Sequence, residues 1–527
     1  MTILSWNKKM ATPQEKLASS LEALRNLQNR GVVAIQTTDL GRPHRERLLK
    51  SGFLQKVMKG WYIPAHPDDA AGESTAWYTS FWTFCAAYLP KRFGSKWCLS
   101  PEHSLSLQAG NQVVPAQLLV RSPKAGNKVT KLPYGTSLFE IRSAIPKEKD
   151  TIQKEGLRLF TLPAALVVCS PTFFEINPTD ARAALATIRD ASEVLEPLLE
   201  GGRSTVASRL AGAFRNIGRD RIADDILKAM RAAGYIVREY DPFAHKLGLV
   251  LASREVSPYT GRIRLMWQEM RGAVIDKFPA PPGRPNDIDA YLKRVQDAYV
   301  TDAYHSLSIE GYRVTPALIE RVRSGTWNPD ADDSDREHRN ALAARGYWQA
   351  YQAVQTSLGR VLRGENAGTV ADEDHGTWYR EMFNPSVNAG LLKAVDLAGY
   401  RNGPVFIRRS MHVPLNSDAV RDAMPVFFEM LAAETEPSVR VVLGHFIFVY
   451  IHPYMDGNGR TARFLMNVML AAGGYPWTVV PLEGRDTYMA ALEDASVRQN
   501  IAPFTKFLAQ LVNDSLQGKN VAKIPAS

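Results

Sequence analysis

Cysteine is scarce: three residues in 527, Cys85, Cys98 and Cys169, with no CxxC pair and no neighbouring histidines. That excludes a disulfide-built scaffold and a cysteine zinc site, and it predicts reduced thiols in apolar surroundings. Long apolar runs are missing as well. Nothing approaches the roughly 18 uninterrupted apolar residues of a membrane span. The opening MTILSWNKKM also lacks the apolar core of a secretion signal, so the chain reads as cytoplasmic with no membrane partner. No long-period internal repeat interrupts it. Acids are outnumbered, 54 against 64 cations, for a formal charge of +10. The rest is ordinary for a globular protein, 45% hydrophobic and 22% charged. At about 100–200 residues per domain the expectation is a multi-domain α+β chain of about three or four units.

The positive excess is uneven. Residues 1–66 hold eleven cations and only four acids, which favours a polyanionic partner. Thr12-Pro13-Gln14-Glu15 has the form of a capping box, and Leu17, Leu21 and Leu24 follow at helical spacing. Thr37-Thr38-Asp39-Leu40 predicts a short second helix, and residues 42–50, opening on Arg42-Pro43, predict a basic third. Residues 53–58 and 61–63 read as two strands around Lys59-Gly60. Three helices and a basic hairpin are the order of a winged helix-turn-helix, and the stretch from Arg47-Leu48-Leu49 to Gly60-Trp61-Tyr62-Ile63-Pro64 resembles that domain of abortive-infection antitoxins and transcriptional regulators. That resemblance implies binding of duplex DNA, with Arg42, His44, Arg45 and Arg47 near phosphates or base edges.

From 77 to 275 the pattern is mixed α+β, with strands expected at 116–120 and 138–141, helices at 181–199 and 222–233, and no catalytic cluster. Residues 276–287 carry four prolines within seven positions and form the expected linker. Beyond it the spacing of Ile288, Leu292, Val295 and Tyr299 is helical.

One stretch dominates the chemistry: His452-Pro453-Tyr454-Met455-Asp456-Gly457-Asn458-Gly459-Arg460-Thr461-Ala462-Arg463. It lies between an apolar run, 441–450, and a helical segment closed by Gly473-Gly474. Gly457 and Gly459 let backbone N–H groups approach an anion, and a helix starting near Asn458 adds its positive end. Arg460 and Arg463, three apart, share one helix face. Asp456 is an oxygen ligand suited to Mg²⁺ beside phosphates, and His452 suits a general base. A phosphate cradle, a metal ligand and a base describe attack of a hydroxyl on a nucleotide phosphate.

This stretch resembles the Fic signature HPFxDGNGRxxR, with Tyr454 in place of the usual Phe and expected in the same apolar slot. The resemblance covers about 288–513 and implies an all-α fold with a β-hairpin flap. Ala398-Gly399-Tyr400-Arg401 and Val405-Phe406-Ile407 match that flap, which docks the target as an added strand. It further implies transfer of AMP from ATP, with Mg²⁺, to a Ser, Thr or Tyr hydroxyl of a protein, the chain itself included. A homo-oligomer is compatible with this reading.

The family's inhibitory pattern [S/T]xxxE[G/N] occurs at Ser306 to Glu310-Gly311 and again at Thr151 to Glu155-Gly156. Context favours Glu310, which ends a periodic helix inside the Fic-like region. Two other readings are a nucleotide-sensing transcriptional regulator and an enzyme that removes AMP using Glu310. His445, in the apolar run, reads as a packed core histidine, and Arg408 and Arg409 as solvated or target-facing cations.

Overall fold

A computed structural model describes residues 12–67, 73–244, 257–327, 338–519 and 522–524; residues 1–11 of the expected head lie outside them. The head begins with α1 (Pro13–Asn29), capped as expected: Thr12 N–H donates to Glu15 Oε2 (2.7 Å) and Glu15 N–H to Thr12 Oγ1 (3.2 Å). Then come β1 (Ile35–Gln36), α2 (Arg42–Lys50), β2 (Leu54–Met58) and β3 (Trp61–Pro64). β3 lies between the other two strands, antiparallel to both. The expected second helix is a turn. Asp39 Oδ2 accepts from Gln36 N–H (2.7 Å), and Arg45 Nη1 donates to the carbonyls of Thr37 (3.1 Å) and Leu40 (3.2 Å), so the carbonyls are consumed without a helical ladder. The head is therefore helix, strand, turn, helix, strand, strand. Trp61 stands edge-on to Phe84 and Tyr88 of the next helix, which ties the hairpin to the following region.

That region opens with α3 (Thr75–Phe93), β4 (Cys98–Leu99), α4 (Pro101–Gln108), β5 (Gln117–Ser122), β6 (Lys128–Lys131) and β7 (Ser137–Arg142). The sheet order is β4-β5-β7-β6, with β5 and β7 parallel, and Trp77, Phe81 and Phe84 of α3 lie in the same buried cluster as Leu118, Val120 and Leu138 of the sheet. The hairpin β8 (Thr151–Lys154) and β9 (Leu157–Phe160) follows. Glu155 (φ 51°) and Gly156 (φ 78°) form its turn, so the second copy of the inhibitory pattern is a strand and a hairpin turn. Six helices come next: α5 (Leu162–Val168), α6 (Phe173–Ile176), α7 (Pro178–Thr187), α8 (Ser192–Glu200), α9 (Ser204–Asn216) and α10 (Asp220–Ala232). All three cysteines are free and buried.

Helix α11 (Pro258–Ile275) precedes the proline-rich segment yet shares the buried cluster of residues 291–512. Trp267 Nε1 and Arg271 both donate to Glu434 (3.1 Å and 2.9–3.0 Å). The prolines break the helix as expected but dock instead of spacing two bodies apart. Phe278 meets Tyr475 edge-on, the Tyr475 hydroxyl donates to Pro279 O (2.6 Å), and Gly283 N–H donates to Gly473 O (3.2 Å).

The remainder is helical: α12 (Ile288–Ile309), α13 (Pro316–Ser324), α14 (His338–Leu362), α15 (Ala367–Asn388), α16 (Ser417–Ala433), α17 (Pro437–Ile451), α18 (Asn458–Gly473), α19 (Arg485–Arg498) and α20 (Ala502–Leu516). The apolar run of α17 and nearly all of α18 are buried, so these two helices are the axis of the bundle. The flap departs from expectation: residues 398–416 contain no strand. Two of its carbonyls go to a side chain, because buried Arg401 donates to those of Gly403 and Leu415 as well as to His452 O, and Arg409 N–H and Met411 N–H donate to Thr75 Oγ1 and Glu493 Oε1. Among the described residues no helix is long and apolar enough to cross a membrane.

Two buried charges join the α+β region to this bundle. Arg262 (α11) pairs with Asp180 (α7) and donates through Nε to Tyr450 Oη in α17 (3.0 Å), and Asn111 Nδ2 also donates to Asp180 (3.0 Å). Removing one member strands a buried charge, so Asp180→Ala is expected to cost about 3–5 kcal/mol in a denaturant titration. Asp180→Leu with Arg262→Met is expected to cost less than either single change.

Candidate active site

The site forms where α17 ends. His452 is its C-cap in the left-handed region (φ 55°), a conformation that turns the imidazole out of the helix. His452 Nδ1 lies 3.1 Å from Val449 O, which only accepts, so Nδ1 carries the proton and Nε2 keeps its lone pair. Burial, the largest influence, and the Arg401 cation press its pKa down, against the Val449 carbonyl and the Glu310 and Asp456 carboxylates, to about 4. A neutral imidazole with a free Nε2 at neutral pH is the state a general base needs.

The loop that follows is stapled by Asn458. Its Oδ1 accepts from Tyr454 N–H (2.9 Å) and its Nδ2 donates to Tyr454 O (2.8 Å), so its side chain is not free for phosphate. What it can offer an anion is its backbone N–H, which with those of Gly459 and Arg460 has no partner in the first turn of α18. Gly457 sits at φ 78°, and a Cβ there would lie 2.8 Å from Phe383. Tyr454 fills the apolar slot expected of it, stacked on Tyr379 at 3.8 Å between centroids.

Arg460 is 1% exposed, with its guanidinium over the rings of Tyr312 (5.2 Å) and Phe383 (5.1 Å). Its Nη2 approaches Asp456 Oδ2 at 3.4 Å, but neither Nε nor Nη2 makes a hydrogen bond. Arg463, one turn on, is nearly as buried. Nε donates to Ser306 Oγ (2.9 Å), Nη2 to Ser306 O (3.0 Å) and to Glu310 Oε1 (2.7 Å), and Nη1 has no partner. Burial would lift the Glu310 carboxyl, yet the arginines, Arg463 foremost, hold it below the usual range. A Cβ on Gly459 would stand 2.5 Å from Glu310 Oε1, so this glycine leaves the carboxylate its space. Gly311, at φ 87°, ends α12 and turns the chain so that Tyr312 reaches Arg460.

Most of these groups line a cavity of about 690 Å³, within the range of small-molecule and cofactor sites. His452, Asp456, Gly457, Asn458, Gly459, Arg463, Glu310 and Gly311 all border it, as do Phe406 and Ile407 of the flap. Ser306 and Arg460 stand behind this lining, and Val405 is buried. Asp456 holds an exposed carboxylate at the rim. Among the described residues no group of three His, Cys, Asp or Glu could hold a metal alone; one carboxylate sharing an ion with phosphates is the arrangement Mg²⁺ takes.

Residues 375–470 match the Fic/DOC family. The chain is 28% identical over 253 residues to "Protein adenylyltransferase Fic" of Drosophila willistoni, covering 47% of each sequence. To the protein of the same name in Nematostella vectensis it is 28% identical over 258 residues, 47% of this chain and 55% of that one. The chain thus spans about half the length of the curated relatives it matches. Among solved structures, Fic-1 from C. elegans is 18% identical, with a TM-score of 0.36, over 65% of this chain and 91% of that one.

Several working residues escaped the sequence reading. Arg401 lies in the Gly-Tyr-Arg run quoted for the flap, but only the fold shows its Nε on His452 O (2.7 Å) and its N–H on Pro453 O (3.0 Å). Arg485 holds Ile309 O (2.9 Å) at the end of α12. His445 is a packed core residue as expected, between Ala462 O and the Tyr488 hydroxyl. Arg408 and Arg409, read as solvated or target-facing, share the carboxylate of Glu73. In the head three of the four named residues are engaged within the fold: Arg47 Nη1 donates to Lys16 O (2.8 Å) and Ser20 Oγ (2.6 Å), His44 Nδ1 meets Ser20 Oγ (3.0 Å) and Arg45 binds the 37–40 turn, whereas Arg42 stays exposed and pairs with Glu46 (2.6 Å).

The burial of His452 yields a direct expectation. In a nitrogen-15 NMR titration its imidazole should stay neutral, protonated on Nδ1, from pH 8 down to about 5, with a midpoint near 4. A midpoint near 6.5, the ordinary histidine value, would contradict the assignment.

Proposed function

We propose that this chain transfers AMP from ATP to a Ser, Thr or Tyr hydroxyl of a protein and that Glu310 restrains the reaction. The observation that carries the proposal is a pair of buried arginines with N–H groups lacking acceptors, Arg463 on the wall of the cavity beside a neutral histidine and Arg460 just behind it. Buried cations with unmet donors call for an anion. The relatives named protein adenylyltransferases point to the same chemistry.

In the reaction His452 Nε2 takes the proton of the target hydroxyl, whose oxygen attacks the α-phosphorus. The bond from that phosphorus to the bridging oxygen breaks, and pyrophosphate leaves with the electron pair. Charge on the leaving group is met by the first-turn N–H groups of α18 and by Arg460 and Arg463. Asp456 would hold Mg²⁺ together with the phosphates, and the ion would neutralise further charge there. Glu310 blocks this by occupying Arg463, the cation farthest along the helix. ATP then either stays out or rests with its α-phosphate out of line, and a displacement of about 1 Å can cost about 10²-fold.

His452→Ala is expected to lose at least about 10²-fold in labelling with α-labelled ATP while still binding ATP, and γ-labelled ATP is expected to label nothing. Glu310→Gly is expected to raise labelling at least about tenfold, and Glu155→Gly to leave it unchanged. A Glu310→Gly variant that labels no faster than wild type, and loses the ability to release AMP from a modified protein, would place Glu310 in the reverse reaction.

For the head, residues 1–66, the proposed partner is duplex DNA. The basic excess supports it, with Lys50, Lys56 and Lys59 exposed around α2 and the β2–β3 hairpin. Because Arg45 and Arg47 are engaged within the head, phosphate contact by these lysines is favoured over base reading. Affinity measured on the full chain is expected to fall by about 0.9 log units per phosphate contact for each log unit of salt. Binding that does not respond to salt would leave a protein-contact module.

A further inference from the structure

The flap is strapped from two sides. On the helical side Met411 N–H donates to Glu493 Oε1 (2.8 Å), the Ser410 hydroxyl donates to the other oxygen, and His412 Nε2 meets Tyr450 O (2.9 Å). On the other side the contacts come from the α+β region, about 300 residues or more earlier in the chain. Glu73 Oε2 accepts from Arg408 Nε (2.8 Å) and Arg409 Nε (3.2 Å), Arg409 N–H donates to Thr75 Oγ1 (2.9 Å), and Val114 N–H donates to Met411 O (2.9 Å).

The Glu73 side chain is 2% exposed, whereas those of Arg408 and Arg409 are 66% and 59% exposed and border the cavity. Burial alone would raise the Glu73 carboxyl. Hydrogen bonds from Thr75 and Arg408 outweigh it and bring the pKa to about 2, so this carboxylate stays ionised at working pH. A buried anion at the start of α3 thus holds two cations of a loop that has no strand ladder of its own. Immediately before them, Phe406 is 44% exposed at the mouth of the cavity.

We propose that Glu73 is a positioning residue for the acceptor protein: it fixes the flap from the α+β region, so that region is needed to present the target hydroxyl although it gives no group to the chemistry. This rests on the reading above that the flap docks the target. Glu73 bonds Thr75, Arg408 and Arg409 and none of the phosphate-binding groups at 456–463, so ATP affinity is expected to survive loss of the strap.

The test separates the two readings. In hydrogen exchange on the full chain, Glu73→Gln is expected to speed exchange of the amides at 408–411 at least about tenfold and leave those of α18 unchanged. ATP affinity by calorimetry should also be unchanged. In a Glu310→Gly background, with a His452→Ala copy of the chain as acceptor, Glu73→Gln is expected to raise the KM for acceptor at least fivefold at similar kcat. Wild-type exchange at 408–411 in Glu73→Gln would overturn the proposal, as would a loss of protection spread equally over α18. Loosened flap exchange without any transfer, even in Glu310→Gly, would uphold the strap and count against the transferase reading.

Discussion

Arg463 carries a guanidinium that is almost wholly removed from water, and a cation in that position must be surrounded by acceptors or it destabilises the fold around it. The last turn of α12 supplies them: the Ser306 hydroxyl and carbonyl and the Glu310 carboxylate converge on two of its three nitrogens. Much of the site's construction follows from that demand. Gly459 has no Cβ where Glu310 Oε1 sits, and Gly311 turns the chain sharply enough to lay Tyr312 over Arg460. Arg485 grips the end of α12, and Asn467 ties Arg463 O to Thr478 O, which fixes the helix that carries the cation. The third nitrogen, Nη1, stays without a partner. A site that is complete for folding and incomplete for hydrogen bonding has room for a ligand anion.

The N-terminal half is joined to this site by buried charge, not by a loose tether. Asp180 and Arg262 reach Tyr450 two residues before His452, and Glu73 reaches the flap that roofs the cavity. Charged groups buried between two regions oppose sliding, because any displacement leaves one of them unpaired at a cost of several kcal/mol. Helix α11 belongs to the helical core although it precedes the prolines. The prolines therefore mark where the helix must break and say nothing of where the packed unit ends.

The parts of the protein legible in the sequence are those governed by local chemistry. The capping box at Thr12 and Glu15, the strands near 118 and 139, the helix after Asn458 and the glycine stop at 473–474 follow from short-range rules, and the motif residues do meet in one cavity. Where expectation failed, a distant partner decided. Thr37–Leu40 is not helical because Arg45 and Asp39 take its hydrogen bonds. The flap has no ladder, and Arg401 takes two of its carbonyls, Gly403 O and Leu415 O. The side chain of Asn458 staples Tyr454 and leaves only its backbone N–H for an anion. The roles of Glu73 and Arg401 depend on distant contacts, fourteen positions away at Leu415 and as many as 336 at Arg409, and no pattern in the sequence announces them.

The central claim is that Glu310 and the outer phosphates of ATP compete for Arg463, and nucleotide affinity tests it without requiring any target protein. Calorimetric titration of wild type, Glu310→Gly, Arg463→Ala and the double variant, with ATP and with AMP, isolates the coupling. Competition predicts that Glu310→Gly binds ATP at least tenfold more tightly than wild type, about 1.4 kcal/mol. AMP affinity should be unchanged, and Arg463→Ala should erase the gain. Equal ATP affinity in wild type and Glu310→Gly, or a gain that survives Arg463→Ala, would contradict the account.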